Sequence, residues 1–174
     1  LVEIHHSASS LVLKGVRSAD GQRVILKTTA GRRPSGPQIA RLVRERRLVG
    51  RAQGDHVVRL IDALDDEGAP VLVFEDFGGR SLDRVPDALP LAERVALAVD
   101  IARALEAVHG RGVIHKDVNP SNLVWNRATS TLKLVDFGIA TDLKRETPSR
   151  GRAELVEGTL GYVSPEQTGR MNCS

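Results

Sequence analysis

Short apolar runs at 12–16 and 23–28 flank Ser18-Ala19-Asp20-Gly21, whose Asp-Gly pair is a strong hairpin signal. They predict two paired strands. Residues 31–37 form a Gly/Pro/Arg loop. Ile39, Leu42, Val43 and Val49 then predict a helix over 38–50, with a dense arginine face and Gly50 as its stop. Runs at 57–64 and 71–77 predict two further strands around Asp65-Asp66-Glu67-Gly68, after which Gly78-Gly79 breaks the pattern as a hinge would. Leu91, Val95, Ala98, Ala102 and Leu105 share one face and predict a helix over 91–109, stopped by Gly110. Residues 123–126 and 131–135 predict a short hairpin. Thr141 to Glu157 is polar and without period, and reads as a loop. No internal repeat is visible.

The order is strands, one helix, strands, a glycine break, then helices. It predicts an α+β architecture: a small β-rich lobe over 1–77 and a helical lobe over 78–174. A cleft between two such lobes is a natural nucleotide site. At 174 residues and 41% hydrophobic content the chain can build a globular core, and with only 3% aromatics that core must rest on Leu, Val, Ile and Ala. The net charge of +3 suits an anionic nucleotide but makes no case for nucleic acid. A single cysteine, Cys173, excludes an internal disulfide and points to a reducing compartment, expected to be the cytoplasm. No apolar run is long enough to cross a membrane. The chain opens on Leu1 and closes inside a motif, so it reads as a piece of a longer protein with further domains fused to it.

The densest chemistry lies in His115-Lys116-Asp117-Val118-Asn119-Pro120-Ser121-Asn122, followed by Asp136-Phe137-Gly138. Asp117 can accept or orient a hydroxyl proton. Asn122 and Asp136 offer hard oxygen ligands to Mg²⁺. Lys27 ends the apolar run Val24-Ile25-Leu26, where a compact cation can reach inward to phosphates. Glu45 is the one carboxylate between Lys27 and Asp55.

The two acidic motifs resemble the catalytic and metal-binding loops of eukaryotic-type protein kinases. Gly158-Thr159-Leu160-Gly161-Tyr162-Val163-Ser164-Pro165-Glu166 is similar to the end of a kinase activation segment. Val12 precedes Lys27 by fifteen residues, the spacing kinases place between the phosphate-covering loop and its lysine. The resemblance implies a two-lobe kinase fold that binds ATP and Mg²⁺ and acts on a protein substrate. It implies that Lys27, paired with Glu45, positions the phosphates, that Asp117 orients the acceptor hydroxyl, and that Asn122 and Asp136 hold the metal. Val12, Ile25 and Val124 would sandwich the adenine, and the backbone of Glu75 and Phe77 would bond it, with Phe74 behind. Val49, His115 and Phe137 would stack in the column joining the lobes. The run Ser164 to Asn172 is similar to the N-terminal Ser/Thr kinase domain of large bacterial hybrid sensors, which continue into an ATPase module, a GAF domain and a histidine kinase. The implied activity is transfer of the γ-phosphoryl group of ATP to Ser or Thr hydroxyls. A nucleotide-binding pseudokinase scaffold is the alternative, and a small-molecule kinase the third option.

Four departures stand out. His5, Ser7 and Ser10 occupy the three glycine positions of the phosphate-covering loop, where Ser7 and Ser10 would offer hydroxyl and N–H donors. Lys116 replaces the arginine that receives an activation-loop phosphate, which argues against control through Thr141, Thr147 or Ser149. Asn119 stands where Ser/Thr kinases carry a lysine facing the γ-phosphate, so transition-state stabilisation should weaken. Finally, the resemblance implies that further large-lobe helices should follow Ser174. The 91–109 helix should therefore expose the stripe that faces them, and the 174-residue piece alone should be poorly stable and inactive.

Overall fold

A computed structural model describes residues 1–31, 33–66, 68–86, 88–143 and 158–168. An antiparallel sheet of five strands comes first, in the order β1-β2-β3-β5-β4. Its strands are β1 (Val2–His6), β2 (Ser10–Val16), β3 (Arg23–Thr29), β4 (Leu60–Asp66) and β5 (Ala69–Glu75). Gly21 at φ 72° and Gly68 at φ 85° sit in the turns of the β2–β3 and β4–β5 hairpins, in a conformation that strains other residues. The predicted strand at 57–64 is displaced to Leu60–Asp66. Val57 instead bridges Leu134 in parallel, and the Val58 N–H donates to the Leu134 carbonyl at 3.0 Å. The segment after the first helix is thus tied to the hairpin that carries the second acidic motif. β1 was not read as a strand: Val2 and Ile4 alternate with Glu3 and His5, but the run has only two apolar residues, and its outer position leaves all five residues exposed.

Helix α1 (Gly36–Ala52) packs on β3, β4 and β5. It starts two residues earlier than its apolar period, because Ser35 and Gln38 form a capping box. Gly50 does not stop it. Ala52 is fully buried and Arg51 ion-pairs Asp142, so tertiary contacts carry the helix through the glycine. A short strand, β6 (Arg80–Ser81), follows the Gly78-Gly79 break and joins β8 (Leu123–Asn126) and β9 (Thr131–Leu134) in a second sheet. β7 (Val113–Ile114) pairs with β10 (Thr141–Asp142), so the predicted loop begins only after a strand; residues 144–157 lie outside the described ones.

Helix α2 (Leu91–Gly110) spans the predicted range with one residue added. It buries Leu97, Ala104 and Val108 against β7 and β9. The stripe faces outward, as expected: Leu91 is 76% and Val95 55% exposed, and Ala98 and Ala102 are exposed too, while Leu105 is half-buried. One apolar core joins α1, β5, α2 and the β8–β9 hairpin, with Leu48, Val49, Leu134 and Phe137 fully buried.

Candidate active site

The sheet and the β8–β9 hairpin enclose a cleft of about 740 Å³. Val12, Ile25, Val58, Phe74 and Val124 supply apolar walls, while Lys27, Glu45, Asn122 and Asp136 supply the polar end. Alternation along β3 aims Ile25 and Lys27 into the same space. Glu75 and Phe77 line the cleft at the point where the chain leaves β5. There the Glu75 N–H is already donated to the Arg59 carbonyl at 3.0 Å, and the Phe77 carbonyl accepts from the Asn126 amide at 2.6 Å.

Lys27 is buried, and its ammonium lies 2.8 Å from both carboxylate oxygens of Glu45 and 2.7 Å from Asp136 Oδ1. Burial alone would depress the lysine pKa, but the charges of Glu45 and Asp136 outweigh it and raise the value. The Glu45 carboxyl is pushed up by burial and by the Asp136 charge, against the pull of Lys27. Asp136 is lowered to about 2: burial opposes this, while the Lys27 charge, a 3.0 Å bond from the Gly138 N–H and the Arg41 charge override it. Asp136 sits at φ 59°, a left-handed conformation that aspartate tolerates better than most side chains. Lys116, at φ 68°, shares that strain next to Asp117.

His115 orients the other acidic motif. It is buried edge-on to Phe137, with ring centroids 4.7 Å apart. Its Nε2–H donates to the Val135 carbonyl at 2.9 Å, so Nδ1 is left to accept the Asp117 N–H at 3.3 Å. Burial lowers the imidazole pKa and keeps it neutral. Asp117 Oδ2 accepts from Asn122 Nδ2 at 2.9 Å. Asp117 Oδ1 accepts from the Thr159 N–H at 3.0 Å and its hydroxyl at 2.9 Å. The Lys116 carbonyl accepts from Gln167 Nε2 at 2.9 Å, fastening the 158–168 segment to the same loop.

Divalent-metal binding fits this donor set. Asn122 spends its amide nitrogen on Asp117, and Asp136 spends Oδ1 on Lys27 and Gly138. Among the described residues, Asn122 Oδ1 and Asp136 Oδ2 take no hydrogen bond, and both residues line the cleft. Those residues hold no cluster of three or more His, Cys, Asp or Glu that could hold a metal. One carboxylate and one amide suit Mg²⁺, which completes its shell with phosphate oxygens and water.

The structure thus brings together Lys27, Glu45, Asp117, Asn122, Asp136, Val12, Ile25, Glu75, Phe77 and Val124. Ser7 and Ser10 stand apart from the cleft lining: Ser7 Oγ accepts the N–H groups of Ser9 and Ser10 at 3.3 and 3.1 Å, closing a turn on itself. His5, placed by the sequence in the phosphate-covering loop, lines the cleft from β1. Two contributors escaped the sequence reading. Ile4 lines the cleft beside it. Arg41, one turn before Glu45 on α1, is close enough to act electrostatically on both Glu45 and Asp136, and its i,i+4 spacing was the available signal. Thr147, Ser149 and Cys173 lie outside the described residues.

Comparison with known sequences agrees with this geometry. A family model described as the protein kinase domain matches residues 4–174. The probable serine/threonine-protein kinase PknB of Corynebacterium glutamicum is 33% identical over 134 residues, 73% of this chain and 21% of the relative. Serine/threonine-protein kinase PknH of Mycobacterium bovis is 37% identical over 132 residues, 73% of this chain and 21% of the relative. Calcium/calmodulin-dependent protein kinase type II of Caenorhabditis briggsae is 30% identical over 169 residues, 94% of this chain and 31% of the relative. The chain therefore spans about a fifth to a third of the length of these relatives.

Proposed function

Since this chain belongs to the protein kinase domain family, we propose that it is the catalytic module of a serine/threonine-protein kinase in a larger bacterial signalling protein. One observation carries the reading. A buried lysine is held between two carboxylates, one from α1 and one 109 residues away at the start of Asp136-Phe137-Gly138. Mg·ATP, when bound, supplies the γ-phosphoryl group and a divalent charge shared with the phosphates. Val12, Ile25 and Val124 wall the adenine end, with the backbone at Glu75 and Phe77 at its edge. Lys27, fixed by Glu45, faces the phosphates. Asn122 and Asp136 would hold the metal, which would neutralise phosphate charge. Asp117 accepts the proton of a substrate Ser or Thr hydroxyl as its oxygen bonds to phosphorus and the bond to ADP breaks. Catalysis is positioning and charge neutralisation, with little covalent work by the protein.

The same reading assigns residues 1–77 and 78–174 to the two lobes and the protein to the cytoplasm; no described helix is long and apolar enough to cross a membrane. The likeness of Ser164 to Asn172 to hybrid sensor kinases supports fusion to an ATPase module and a histidine kinase. Phosphate transfer by the intact protein to a generic acceptor such as casein tests the activity. Asp117→Asn should lower it by about 10²-fold or more. Equal transfer by the two forms would favour a nucleotide-binding scaffold.

A further inference from the structure

Asn119 should have been a loss, because the cation expected there is absent. It is instead only 3% exposed, and both ends of its amide are engaged. The oxygen accepts from the Ser121 N–H at 2.9 Å, the Ser121 hydroxyl at 2.5 Å and the Asn122 N–H at 3.2 Å. The nitrogen donates to the Asp117 carbonyl at 3.3 Å, to Asp117 Oδ1 at 3.0 Å and to the Thr159 hydroxyl at 3.0 Å. Donors on one side and acceptors on the other permit a single orientation of the amide.

On the kinase reading above, we propose that Asn119 is a positioning residue that locks Asp117 to Thr159 and thereby selects Asp117 Oδ2 as the atom that takes the acceptor proton. Oδ1 receives three donors, from Asn119 and from the Thr159 N–H and hydroxyl, which fills its lone pairs. Oδ2 receives one, from Asn122, and keeps room for a substrate hydroxyl. The Thr159 hydroxyl gives its proton to Asp117 and accepts from Asn119, so the three side chains close a ring across 42 residues of sequence. A lysine could donate to Asp117 but could not accept from Ser121 and Asn122. Asn119 therefore exchanges a phosphate-facing charge for a tie between the catalytic loop and the 158–168 segment.

Asn119→Asp separates the two ends of the amide. It keeps the oxygen that caps the 120–122 turn and replaces the donor to Asp117 with a repelling oxygen. In the intact protein, kcat should fall at least about tenfold while KM for ATP and the ADP dissociation constant stay within about twofold. Thr159→Val should lose kcat in the same selective way, and Thr159→Ser, which keeps the hydroxyl, should restore it. If Asn119→Asp does not fold, Asn119→Ser, too short to reach Thr159, must show the selective kcat loss. Undiminished kcat in these variants, or kcat and nucleotide affinity falling together, overturns the proposal. Asp117→Asn run alongside separates the failures: if it matches wild type, the kinase reading falls first.

Discussion

Lys27 carries the most consequence of any single side chain. Lys27→Met would strand Glu45 and Asp136 beside an apolar thioether. Removing one partner of a buried ion pair costs about 3–5 kcal/mol, so denaturant unfolding should show a loss of that order along with lost phosphate transfer. A loss under about 1 kcal/mol would mean that water reaches the pair freely. His115 gives the pH dependence. Burial lowers its pKa in the folded state, while the unfolded chain takes up a proton near the ordinary value of about 6.5. Its contribution to stability is complete above that pH, shrinks as pH falls below it, and levels off once the folded imidazole also protonates. The stability difference between about pH 7.5 and about pH 5.5 should narrow in His115→Asn; an unchanged difference would contradict a neutral, buried ring. Lys27, Asp117, Asn122 and Asp136 were legible as residues because their motifs are local. Glu45 was legible too, as the partner of Lys27, but the longer-range partners were not. The Asn119–Thr159 and Lys27–Asp136 bonds join positions 40 and 109 residues apart, which no local pattern reveals.

Helix α1 shows how an element can be read correctly and bounded wrongly. Its apolar period marked the middle, but its start depends on the Ser35–Gln38 capping box and its end on a distant carboxylate. Ser35→Ala should cost about 1 kcal/mol of stability. At the other end, Asp142 is buried and accepts ion pairs from Arg47, at 3.1 Å, and Arg51. α1 is thereby tied to β10, just after Asp136-Phe137-Gly138. Asp142→Asn should speed hydrogen exchange over 47–52 and lower kcat several-fold through Glu45; exchange identical to wild type would show that packing alone holds the helix. β1 was missed for the opposite reason. Its alternation, Val2 and Ile4 against Glu3 and His5, spans only two apolar residues of an exposed edge strand, too short to read, and the strand came into place only through its register with β2.

For the molecule as a whole, two lobes around a cleft followed from the order of the elements and a glycine break. The outward-facing side of α2 followed as well, since Leu91, Val95, Ala98 and Ala102 repeat with helical spacing yet stay exposed. Val95→Glu in the 174-residue chain should shift stability by less than about 0.5 kcal/mol, whereas Leu97→Ala, two residues on but buried, should cost about 2–5 kcal/mol. Comparable losses at both sites would mean that the 95 face is covered in solution. The cleft was harder to foresee in detail than in kind, because its width depends on tertiary ties such as Val57 to Leu134. The most direct test of the whole account uses ATP labelled at the γ-phosphate, the intact protein and phosphoamino-acid analysis of the acceptor. Wild type should place label on serine or threonine in a Mg²⁺-dependent manner, and Asp136→Asn should abolish it; label that persists undiminished in Asp136→Asn would contradict the cleft as the site of transfer.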